Sequence, residues 1–89
     1  MNNIRRKELD KIESRLSVVK TEVLDITNEL SYICDEENNS LDNMEKFSGT
    51  DRYAAIEDAA NNMEDALNLL EEVVDNIDNA VTSINEASR

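Results

Sequence analysis

Carboxylates are the only abundant chemistry in this sequence: 21 Asp and Glu in 89 residues, with no histidine and a single cysteine. Eight of them, Glu57, Asp58, Glu64, Asp65, Glu71, Glu72, Asp75 and Asp78, fall between residues 53 and 88, a stretch without lysine or arginine. Glu57-Asp58, Glu64-Asp65 and Glu71-Glu72 recur at heptad spacing, and Asp78 continues the series. On a helix that spacing sets successive pairs on one face, about 10.5 Å apart. Paired carboxylates do acid–base work when a cleft gives the two different environments, and long helices offer no obvious cleft. Without histidine there is no His-assisted Ser or Cys nucleophile. The Glu-x-x-His pairs of di-iron bundles are likewise excluded. Asp42 to Asp51 lacks the spacing of an EF-hand loop, and Asp35-Glu36-Glu37 reads as a solvated helix face. Cys34, beside those three acids, lacks the electropositive setting of a reactive thiol and is assigned to packing. No catalytic residue, metal ligand or cofactor is expected, and the chain is not read as an enzyme.

What remains is recognition. A lysine-free acidic face is the electrostatic complement of a basic protein surface, so the eight carboxylates are the candidate partner-binding residues. The competing explanation is a face that only keeps a coiled coil soluble. Against it, Asn61, Asn62, Asn68, Asn76, Asn79 and Asn85 stand where Lys, Arg or Gln would form better helix and pair with the acids. The stripe accepts repulsion of a few tenths of a kcal/mol per like-charged pair. Its charge density is roughly one per 6 Å of helix, sparser than the one per about 1.7 Å of duplex DNA. Nucleic-acid mimicry is compatible with that density without being demanded by it.

The net charge of −12 is unevenly spread. Residues 1 to 20 carry six basic and three acidic groups; residues 53 to 88 carry nine acidic groups and no basic one. Direct binding to nucleic-acid phosphates and to anionic membranes is disfavoured, because both run on Lys and Arg. The start, MNNIRRKELDK, has charge but no apolar run behind it, unlike a secretory signal. No stretch approaches the roughly 20 apolar residues of a membrane span. A lone cysteine suits a reducing compartment, so a cytoplasmic location is expected.

The elements that would position these groups are two long helices. Leu9, Ile12, Leu16, Val19, Val23, Ile26, Leu30 and Ile33 alternate steps of three and four, a heptad seam. Tyr53, Ile56, Ala60, Met63, Leu67, Leu70, Val74, Ile77, Val81 and Ile84 form a second one. Beside the second seam, Ala59, Ala66, Val73, Ala80 and Ala87 add a small-residue stripe, giving this helix a wider apolar face than the first. Asn-Met-Glu-Lys-Phe-Ser-Gly-Thr-Asp-Arg, with the only glycine, reads as the turn; Ser48 and Thr50 are candidate N-caps. The expected fold is all-α: one domain over 1–89, helix 1 about 3–44, a turn about 45–50, helix 2 about 51–87. It is an antiparallel two-helix coiled-coil hairpin, expected to dimerise into a four-helix bundle that covers the wide face. Pairing Leu9 with Ile84, Leu16 with Ile77, Val23 with Leu70 and Leu30 with Met63 puts the midpoint between residues 46 and 47.

From about residue 42 to 81 the chain resembles small acidic proteins of unassigned function from Firmicutes phages and prophages. The connector run Gly49-Thr50-Asp51-Arg52-Tyr53 carries the resemblance, followed by an Ala- and Glu-rich helix; the usual connector has a proline where this chain has Glu45. The resemblance implies a phage context, in which small acidic proteins occupy basic grooves of host nucleic-acid-handling defences. The function expected is therefore an interaction module that binds a basic surface of such a protein as inhibitor or nucleic-acid mimic. The alternative is a structural or adaptor protein acting through its own homo-oligomer.

Overall fold

The computed structural model describes residues 1–89. Helix α1 runs from Asn3 to Asn43 and helix α2 from Asp51 to Ala87, and the two pack against each other as an antiparallel hairpin without strands. The chain forms a rod of 66 × 16 × 14 Å. Asn2 starts α1, its side-chain oxygen accepting from the Arg5 N–H at 2.8 Å, which satisfies one of the donors a helix start leaves free. The helix continues through Asn38-Asn39-Ser40 and closes where the Met44 N–H donates to the Ser40 and Leu41 carbonyls. A single 3₁₀ turn over Glu45–Phe47 follows. Gly49, at φ 93°, then makes the reversal, a left-handed conformation that costs glycine nothing. Of the two candidate caps, Thr50 is the one used: its hydroxyl accepts from the Tyr53 N–H at 3.2 Å. Asp51 in the first turn of α2 faces the positive end of the helix dipole.

On α2 the expected seam faces the partner helix: Ala60 is buried, and Tyr53, Ile56, Met63, Leu67, Leu70, Val74, Ile77, Val81 and Ile84 are half-buried. On α1 the expected seam is half right. Leu9, Leu16, Val23 and Leu30 turn inward, but Ile12, Val19, Ile26 and Ile33 are 41 to 49 % exposed. Their places are taken by the next residues, Glu13, Lys20, Thr27 and Cys34. The turn end accounts for the rotation. Cys34, Leu41 and Met44 lie on one helical line and are the apolar side chains available to meet Tyr53 and Ile56 there, so α1 rotates to bury them. The polar intruders are accommodated locally. Thr27 donates its hydroxyl to the Val23 carbonyl at 2.7 Å.

The register also shifts. Level pairing about residues 46–47 would set Cys34 at Ala59 and Lys20 at Val73. Instead Cys34 meets the Ala60 carbonyl and Lys20 meets Asp78. Cross-helix contacts sit one to five residues further along α2, which puts the midpoint between Phe47 and Gly49, where the chain reverses. Only Cys34 and Ala60 are buried in the whole chain. A single hairpin thus has a seam rather than a core.

Candidate functional site: the acidic side of the hairpin

Two flanks border the α1–α2 seam, and they differ in chemistry. The first is defined by direct contacts. Lys20 Nζ reaches Asp78 Oδ1 at 2.7 Å, and the Glu13 carboxylate meets the side-chain amide of Asn85. Between these helices run two shallow grooves, one bordered by Leu24, Thr27, Glu71 and Asp75, the other by Ser17, Lys20, Asp78 and Val81. Glu57, Glu64, Glu71 and Asp78 occupy one heptad position along this flank. Asp58, Asp65 and Glu72 follow on the outer surface of α2, and Asp75 projects between the two rows. All eight predicted partner-binding carboxylates are exposed.

Asp78 alone among the eight has an ion-pair partner; the other pair in the chain joins Arg89 to Glu86 at 3.3 Å. The N-terminal cations of α1 do not neutralise the row. Arg6 lies near the end of α2, where its guanidinium donates to the Arg89 carbonyl at 3.3 Å while its Nε is buried without a partner. Seven carboxylates in a row therefore project into solvent unpaired, about 10.5 Å apart by pairs.

Sequence reasoning missed the two residues of α1 that join this flank. Glu13 and Lys20 are a heptad apart, inside a run where the neighbouring Ile12 and Val19 look like the natural seam. The signal lay downstream, in the step from Cys34 to Leu41 and Met44, which continues the line of Glu13, Lys20 and Thr27.

Cys34 is buried between the helices. Its thiol sits 3.9 Å from the Ala60 carbonyl and takes a contact from the Asn38 amide at 3.7 Å. Burial between the helices raises its pKa above the ordinary value, and the nearby carboxylates of Glu64 and Asp35 raise it further, against a smaller lowering by Asn38. The thiolate is thus disfavoured from two directions. No group of three or more acids and cysteines is gathered as a metal cage, and no helix is long and apolar enough to cross a membrane. At the far tip, Met44, Phe47, Thr50 and Arg52 border an open depression, with the Lys46 ammonium 5.2 Å from the Phe47 ring centre. The tip thus carries Lys46 and Arg52, the only cations between Lys20 and Arg89.

Fold and flank together define a class: an antiparallel helical hairpin with one acidic side and one apolar side. Comparison with family models, curated proteins and solved structures finds no match for the chain.

Proposed function

We propose that the chain is a protein-interaction module whose acidic flank docks on a basic surface of a nucleic-acid-binding protein, acting as inhibitor or nucleic-acid mimic. The observation that carries this is the unpaired state of the row. Seven of its eight carboxylates make no ion pair, and the cations of α1 from Arg5 to Arg15 sit level with the far end of α2, where Arg6 meets Arg89. A fold that needed the acids for its own cohesion would pair them. The resemblance of the Gly49-to-Tyr53 connector to phage proteins supports a host protein as the partner. The exposed isoleucine line of α1 favours a second mode alongside the first, assembly with further copies of the chain in a structural or adaptor role.

The test is capture from a bacterial host lysate at low and high salt, with the wild type beside a variant carrying Glu64→Lys, Asp65→Lys, Glu71→Lys and Glu72→Lys. The affinity for the cognate protein is expected to drop at least about tenfold between low and physiological salt, because exposed charges are screened over roughly 8 Å. The reversed variant is expected to capture nothing. Equal capture by both forms would rule the acidic flank out as the docking surface.

A further inference from the structure

The flank opposite the acidic row is apolar on both helices. Ile12, Val19, Ile26 and Ile33 each sit one residue before an inward-facing residue of α1, on the side away from Ser17 and Leu24, which face the acidic groove. On α2, Ala59, Ala66, Val73, Ala80 and Ala87 stand in the same relation to the seam, away from Glu57, Glu64, Glu71 and Asp78. In an antiparallel pair these two stripes flank the same side of the seam. The sequence offered the alanine stripe; the rotation of α1 sets an isoleucine stripe next to it.

We infer that this side is covered by a second copy of the chain, related by a two-fold axis along the rod, so that α1 of each copy lies across α2 of the other with both turns at one end. Three observations select that occupant and that orientation. The first is shape. With the buried Cys34 against Ala60, Ile12 is level with residue 82, in the gap between Ala80 and Ala87, and Ile26 with residue 68, in the gap between Ala66 and Val73. A two-fold along the rod preserves those levels, so each large side chain of one copy meets a hole between small ones of the other, the large-to-small alternation that dense packing wants.

The second is charge. The outer border of the stripe on α1 is Glu8, Arg15, Glu22, Glu29 and Glu36. A two-fold across the rod would set α1 antiparallel on α1 and bring this mostly acidic border against the same border of the copy, with only Arg15 to offset four glutamates. The axis along the rod sets them beside Asn62, Leu69, Asn76 and Ser83 instead, which are uncharged. Leu69, 61 % exposed in the single hairpin, gains cover in the same step. The third is area. A side 66 Å long and 16 Å wide presents on the order of 1,000 Å² a copy, against the about 800 Å² per partner that a stable interface buries. The acidic flanks of the two copies then point outward on opposite faces of the bundle.

Sedimentation equilibrium at tens of micromolar tests the occupant. The wild type is expected at twice the 10.1 kDa chain mass. Val19→Lys with Ile26→Lys is expected at the single-chain mass with helicity retained, since both sites are exposed in the hairpin. Val18→Lys, on the outer face, is expected to remain at twice the mass. A wild type at the single-chain mass, or a double variant as dimeric as the wild type, overturns the inference. Orientation is read from spin labels at Ser48→Cys in a Cys34→Ala background. A separation under about 30 Å, two helix diameters of roughly 10–12 Å plus the labels, is expected. A separation near the 66 Å rod length overturns the axis along the rod.

Discussion

At the scale of single residues, the decisive side chain is Cys34, because it is both the most enclosed polar-capable group and the one whose protonation the fold controls. Its thiol is held in the protonated form by burial first, then by Glu64 and Asp35. The consequence for stability has a definite sign. A group whose pKa is raised on folding contributes stability that is complete below its unfolded value, 9.0 here, and lost as pH rises through the folded value. Denaturant titrations across that range should show wild-type stability declining above pH 9.0 more steeply than that of Cys34→Ala. Alkylation of the native thiol near neutral pH should run far slower than in the unfolded chain, at a rate that follows unfolding. Identical pH slopes for wild type and Cys34→Ala would refute the account. Lys20 shows the opposite case. Its bond to Asp78 is short, but both side chains are more than a third exposed, so solvent screening limits it to a few tenths of a kcal/mol, and it serves to fix register.

At the scale of the elements, the hairpin depends on how sharply its connection is specified. Gly49 is the only residue with positive φ, and a Cβ added there would meet nothing within 4 Å. Gly49→Ala should therefore cost only the left-handed backbone strain, about 1 kcal/mol. Thr50→Ala, which removes the α2 cap, should cost about the same. Urea melts followed by circular dichroism measure both, and Ser48→Ala, whose hydroxyl caps nothing, should leave the midpoint in place. The two-helix architecture was legible because heptad spacing, the lone glycine and the cap residues all point to one hairpin. The rotation of α1 was not. Leu9, Leu16, Val23 and Leu30 belong equally to a frame completed by Ile12, Val19, Ile26 and Ile33 and to one completed by Glu13, Lys20, Thr27 and Cys34. Local hydrophobicity prefers the first. The second wins because a rigid helix turns as a unit, and burying Cys34, Leu41 and Met44 against the start of α2 decides the angle for all 41 residues. The acidic candidate site was legible in part for a related reason. The eight carboxylates follow the α2 frame, which holds, whereas Glu13 and Lys20 belong to the α1 frame that the sequence alone leaves open.

At the scale of the whole molecule, charge works against the fold. Nine acids and no basic residue lie between residues 53 and 88, and the chain as a whole carries −12. Against that stand two ion pairs, one of them local within the last turns. Salt has two opposed effects on such a molecule: it weakens attractive pairs and it relieves repulsion. Here the repulsive pairs outnumber the attractive ones, since each of Glu57, Asp58, Glu64, Asp65, Glu71 and Glu72 has a like charge within one or two turns. The Debye length falls from about 30 Å at 0.01 M to about 8 Å at 0.15 M, which cuts off interactions between successive pairs at their roughly 10.5 Å spacing. Thermal stability should therefore rise with sodium chloride over that interval, and rise less in the variant with Glu64, Asp65, Glu71 and Glu72 changed to lysine, which places a cationic block between acids on either side. The proposed binding to a basic partner would run the other way, strongest where the free hairpin is least stable. The repulsion stored along α2 is relieved by whatever cationic surface approaches it, so the same groups that weaken the free chain favour its complex. Melting curves of the free chain and partner affinity, measured over one salt series, should move in opposite directions. If both fall together with added salt, attractive pairs dominate the free chain and the row is not held under repulsive strain.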